Sequence, residues 1–137
     1  MNYDTFVDQV ARRTQVDSER AVQLTHAILE TLAERLTGGE ALDLAAQLPA
    51  PLQMVLKPSP RTESADRFGS AEFLARVGRR AGVDEPAARE AVRAVFTTLR
   101  EALTGGEFDD MATQLPRDYR KLVEPALAPG AAVLRRG

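Results

Sequence analysis

The stretch Leu36-Thr37-Gly38-Gly39-Glu40 recurs 67 positions later as Leu103-Thr104-Gly105-Gly106-Glu107. Working outward at the same offset, Thr31-Leu32 meets Thr98-Leu99, Val16-Asp17 meets Val83-Asp84, and Arg12-Arg13 meets Arg79-Arg80. Phe6 and Val10 fall on Phe73 and Val77, and downstream Gln47-Leu48-Pro49 falls on Gln114-Leu115-Pro116, with no gap from residue 6 to residue 58. A long unit present only twice reads as a tandem duplication and not as a solenoid, which needs three or more repeats.

Each copy has the periodicity of four helices. The first spans about residues 4–14 and 71–81, with Phe6, Val10 and Thr14, then Phe73, Val77 and Ala81, on one face. The second spans about 18–36 and 85–103, after Asp17 and Asp84 as N-caps. Its stripe is Ala21, Leu24, Ile28, Leu32 and Leu36, matched by Ala88, Val92, Val95, Leu99 and Leu103. Gly38 and Gly105 are expected to end it in the left-handed conformation. Ser70 is the expected cap of the first helix in copy two. A third helix begins near Glu40 and Glu107, acids suited to the positive helix end, and stops at Pro49 and Pro116. A short fourth helix carries Leu52, Val55 and Leu56, or Tyr119, Leu122 and Val123.

The fold expected is therefore all-α: eight helices as two four-helix repeats packed with approximate two-fold pseudo-symmetry. The repeats are 1–58 and 70–125, with a polar linker at 59–69 and a flexible basic tail at 126–137. Phe68 in the linker is placed to dock on one copy. A unit of this size buries only about 60% of its unfolded surface, so the copies are expected to pack as one body.

Composition narrows the function classes. With no Cys, disulfide frameworks, thiolate zinc sites and cysteine nucleophiles are excluded. Aromatic residues are only 5%, so the core must come from Leu, Val and Ala. A net charge of -2 gives no general attraction to nucleic acid or anionic membrane. No stretch approaches the roughly 18 apolar residues of a spanning helix, and the N-terminus lacks the basic and apolar regions of a signal peptide. The cytoplasm is the expected location.

The paired motifs, Arg-Arg, Val-Asp, Leu-Thr-Gly-Gly-Glu and Ala-x-Gln-Leu-Pro, resemble a bacterial domain-of-unknown-function family, number 2267, over residues 3–125. The resemblance implies an all-helical, tandemly repeated bacterial protein. It implies no reaction and no functional residues. The first two helices of each copy also look like the helical base of histone-like DNA-bending proteins, but here Gly-Gly-Glu and another helix replace the sheet and basic arms.

Most polar residues shared by the copies read as caps and helix ends: Asp17 and Asp84, Glu40 and Glu107, and Gln47 and Gln114 bonding free carbonyls. His26, the single histidine, matches Arg93 and reads as half-exposed. Asp109-Asp110 is the one close carboxylate pair expected, facing away from Phe108 and Met111. No catalytic, cofactor or metal residues are proposed, and the protein is read as not an enzyme. The copies differ in charge: 1–58 has 5 basic and 8 acidic residues, 70–125 has 9 and 10. Arg12, Arg13, Arg79, Arg80, Arg89, Arg93, Arg100, Arg117, Arg120 and Lys121 are the candidate partner-binding residues. The leading reading is a protein-interaction or scaffold module whose partner is another protein. The alternatives are a nucleoid or DNA-associated protein using the basic face of copy two, and a small-molecule or lipid-binding bundle with a pocket lined by Phe6, Phe73 and Phe96.

Overall fold

A computed structural model describes residues 1–56 and 67–124. The expected tail, and all but the end of the linker, lie outside the described residues. Among these there are eight α-helices, one short 3-10 turn and no strand. The helices are α1 (Tyr3–Thr14), α2 (Ser18–Arg35), α3 (Gly38–Ala46), α4 (Ala50–Gln53), α5 (Ser70–Ala81), α6 (Glu85–Ala102), α7 (Gly105–Thr113) and α8 (Arg120–Val123), the last entered through the turn at Arg117–Tyr119. No helix among the described residues is long and apolar enough to cross a membrane.

The long helices start where short acidic side chains satisfy free first-turn amides. Asp17 accepts from the amide of Arg20 at 2.8 Å, and Asp84 from that of Ala87 at 3.1 Å. Their ends differ from expectation. Gly38 and Gly105 do not terminate α2 and α6 in the left-handed region; they are the first residues of α3 and α7. The chain leaves α2 at Leu36 and α6 at Leu103 in extended conformation, keeping both side chains buried. Thr37 and Thr104 then cap the next helix. The left-handed residues are instead Gln15 (φ 59°) and Gly82 (φ 69°), which end α1 and α5. Ser70 is likewise not a cap. It begins α5, and its amide donates to the carboxylate of Asp118 at 2.7 Å.

The apolar stripes merge into one core. α1 packs on α2 and α6, α5 on α6 and α2, and α3 on α7. Phe6, Val10, Ile28, Leu32, Phe73, Val77, Val95 and Leu99 are all fully buried, each contributing roughly 1.5–3 kcal/mol through removal of apolar surface from water. Phe73 sits at an aromatic junction, with Phe68 and Phe96 at 6.3 Å and Tyr119 edge-on at 5.4 Å. Phe68 is docked, with the Arg76 guanidinium 3.8 Å from its ring centre. Its carbonyl accepts from Arg35 Nε and from the Tyr119 hydroxyl, both at 2.9 Å.

Phe6, Phe73 and Phe96 are wholly buried and belong to the continuous core.

The polar residues common to both segments join α1 to α6 and α5 to α2. Arg13 donates to the Thr98 hydroxyl at 2.8 Å and to Glu101 at 2.7 Å. Arg80 donates to the Thr31 hydroxyl at 2.7 Å and to Glu34 at 2.6 Å. Every residue in the second set is 67 positions from its equivalent in the first. Thr98 and Thr31 also donate to the carbonyls of Ala94 and Ala27, so each buried hydroxyl is used in both directions.

Candidate functional site

The candidate partner-binding residues serve different ends. Arg13 and Arg80 are engaged in the bonds just described. Arg12 and Arg79 are exposed and pair with Asp8 at 3.1 Å and Glu72 at 3.4 Å within their own helices. Arg89 pairs with Glu85 one turn earlier. Arg100 is half-buried, with its guanidinium 5.8 Å from the centre of the Phe108 ring. Arg93, Arg117, Arg120 and Lys121 are exposed, and no ion pair among the described residues engages them.

Arg117, Arg120 and Glu124 line an open groove of about 270 Å³ together with Ala112, Leu115 and Val123. At the offset of 67, Arg117, Arg120 and Lys121 correspond to Ala50, Gln53 and Met54. Met54 is 79% exposed, and Leu42, which corresponds to Asp109, is 55% exposed. The two segments thus present apolar and charged side chains at equivalent positions. A second cleft, about 410 Å³, opens between the N-terminal parts of α2 and α6, beside Val16, Leu24, Val83 and Pro86.

Glu40 and Glu107 are expected from sequence to be acids at helix starts. They do stand in the first turns of α3 and α7. In a Thr-x-x-Glu capping box the Glu side chain turns back to the amide of the capping Thr. Here that amide is taken from across the molecule. Thr37 N donates to Gln114 Oε1 at 3.1 Å, and Thr104 N to Gln47 Oε1 at 2.9 Å. The expectation that Gln47 and Gln114 bond the free carbonyls of their own helix ends is thus corrected: the side-chain amides that could do so donate instead to the hydroxyls of Thr104 and Thr37, both at 3.4 Å.

Released from the box, the two glutamates meet where α3 packs on α7. Carboxylate oxygens of Glu40, Asp43 and Glu107 lie within 4.8 Å of one another. Glu40 is buried, and one carboxylate oxygen of each glutamate is sealed from solvent without a hydrogen-bond partner. Burial, then the facing carboxylate of Glu107, push the Glu40 carboxyl up to about 8; Asp43 and Asp110 add to the effect. Asp109 and Asp110 are exposed, as expected of a pair facing away from Phe108 and Met111; the expectation that theirs is the one close carboxylate pair is corrected, because Glu40 and Glu107 form another. One signal in the sequence could have exposed it. Glu40 and Asp43 are three residues apart, on one helix face, and both recur as Glu107 and Asp110.

His26 is half-buried, with Nε2 inward and unpartnered. Residues 3–122 match a family described as an uncharacterized conserved protein, DUF2267. The chain belongs to the DUF2267 family. No curated protein matches it. Membership of DUF2267 accords with the resemblance carried by the paired motifs and supplies no activity.

Proposed function

We propose that the protein is a non-enzymatic, cytoplasmic helical interaction module whose partner is another protein. The observation that carries this reading is the groove of the C-terminal segment, lined by Ala112, Leu115 and Val123 beside the exposed Arg117 and Arg120 and by Glu124, with Lys121 next to Arg120 in sequence. Such a surface suits an amphipathic helix with acidic flanks: apolar anchors meet the apolar lining, and the charges select orientation and speed association. Met54 and Leu42 offer a different, apolar surface at the equivalent place in the N-terminal segment.

The reading includes a two-repeat body with approximate two-fold pseudo-symmetry. Its support is the exchange of bonds in which Arg13, Thr98 and Glu101 repeat as Arg80, Thr31 and Glu34. The same residues support a non-enzymatic role, since side chains common to both segments are spent on joining helices.

The test is cross-linking affinity capture from the native host, with the wild-type chain beside a variant carrying Arg117→Glu, Arg120→Glu and Lys121→Glu. A specific cross-linked protein that the variant loses supports the reading. Equal capture by both chains refutes it. A salt-sensitive gel shift at about 50 mM salt, lost in the variant, would make the partner nucleic acid instead.

A further inference from the structure

We propose that Glu40, Asp43 and Glu107 form a binding site for a hard divalent cation, of the Ca2+ or Mn2+ kind, held between α3 and α7. An acidic cluster alone would not carry this, because acids at helix starts are common. The deciding observation is Glu40: its residue is only 7% exposed, yet one of its carboxylate oxygens is sealed from water with no partner. Glu107 aims an equally unpartnered oxygen at the same place. Leaving buried carboxylate oxygens bare costs folding free energy, and the ordinary local outlet for each, the amide of the capping threonine, is occupied by Gln114 or Gln47.

The dimensions suit an ion. Oxygens bound to Ca2+ at about 2.3–2.6 Å stand up to roughly 5 Å apart when they face each other across it. The three oxygens fall within 4.8 Å of one another. All the donors are carboxylates, the hard set that favours Ca2+, Mg2+ and Mn2+ over metals preferring nitrogen or sulfur. Asp43 is exposed, so the site opens to solvent on its side. That opening admits the ion and leaves room for the waters that complete its coordination. Asp110, the equivalent of Asp43, contributes its field from α7. The ion would take the place of the proton that Glu40 holds beside Glu107 and would bind α3 to α7.

The full-length chain, stripped with a chelator, is titrated with CaCl2 and with MnCl2 by calorimetry, and its thermal midpoint is followed. One saturable event per chain and a rise in midpoint are expected. Glu40→Gln should weaken binding by roughly tenfold or more, since affinity follows ligand charge, while raising the midpoint of the metal-free protein. A merely damaged fold cannot give that opposed pair of effects. Asp43→Asn, on the surface and harmless to folding, should also weaken binding, and Asp109→Asn should not. The proposal falls if neither cation binds saturably below about 1 mM, the weak end of protein calcium sites, or if Glu40→Gln and Asp43→Asn bind as the wild type does.

Discussion

The guanidinium of Arg13 donates to the hydroxyl of Thr98 at 2.8 Å, 85 residues away in sequence, and its other nitrogen reaches Glu101 at 2.7 Å. The Arg13 side chain is only 27% exposed, so water screens this link less than a surface pair. Arg13→Ala should destabilise the protein by about 1–2 kcal/mol. Thr98→Val combined with it should show a coupling energy of about 1 kcal/mol in a double-mutant cycle. Arg12→Ala, whose partner Asp8 is one turn away on the surface, should cost no more than about 0.5 kcal/mol. Urea denaturation of the five chains (wild type, the two single variants, their combination and Arg12→Ala) measures all three numbers, and an effect of Arg12 equal to that of Arg13 would contradict the assignment.

Metal-free protein should lose stability as pH rises from about 4.5 to about 8. Glu40 holds its proton more tightly when folded than when unfolded, because burial and Glu107 disfavour its charge. Between the ordinary carboxyl value of 4.5 and about 8, folding therefore takes up a proton, and the native state weakens with each step upward in pH. The loss should be about 2 kcal/mol, since the facing side chains can part once both ionise. Glu34 acts oppositely. The hydrogen bond from Arg80 holds it below the usual range, so its contribution is present above that range and lost as pH falls through its folded value. Thermal midpoints from pH 3 to pH 9 should peak near the ordinary carboxyl value, and Glu40→Gln should flatten the alkaline side.

Gly82→Ala should destabilise by about 1 kcal/mol, because a Cβ in the left-handed region meets the following carbonyl. Open space around Gly82 makes this a backbone effect alone. Gln15 occupies the same conformation at the end of α1, so Gln15→Gly should be neutral or stabilising by a few tenths of a kcal/mol. If both substitutions destabilise equally, the two turns are not alike in energy.

Thr25 is fully buried, and its hydroxyl has no partner. Val92 stands at the equivalent position in α6 and is also fully buried. Thr25→Val keeps the shape and removes the orphaned group, and it should stabilise the protein by about 1 kcal/mol. Thermal melts of the single variant decide the sign.

The helices were legible in the sequence because their signals are local. Asp17 and Asp84 announce helix starts, and Phe73, Val77 and Ala81 recur at helical spacing. The Gly-Gly pair misled because the cap of α3 lies in the preceding Thr37, and burial of Leu36 holds the chain extended just before it. The acidic site was hidden for a different reason. Nothing in residues 36–40 says that Gln114 will take the amide Glu40 would otherwise bond. Contacts between residues 77 positions apart are set by packing, and only the recurrence of Glu40 and Asp43 at the same offset hints that their side chains share a fate.

The exchange between Gln47 and Gln114 makes the beginning of each third helix depend on the opposite half of the chain. Thr37 has its amide satisfied only when Gln114 is in place, and Thr104 only when Gln47 is. A fragment ending before residue 70 would start α3 with an open amide and a Glu40 free to fold back on it. Severing the chain between the halves should accordingly leave two pieces that stay clasped, whereas synthesising either piece alone gives a helix start of different chemistry. Translation must therefore proceed past Gln114 before the amide of Thr37 can find its partner in the folded protein.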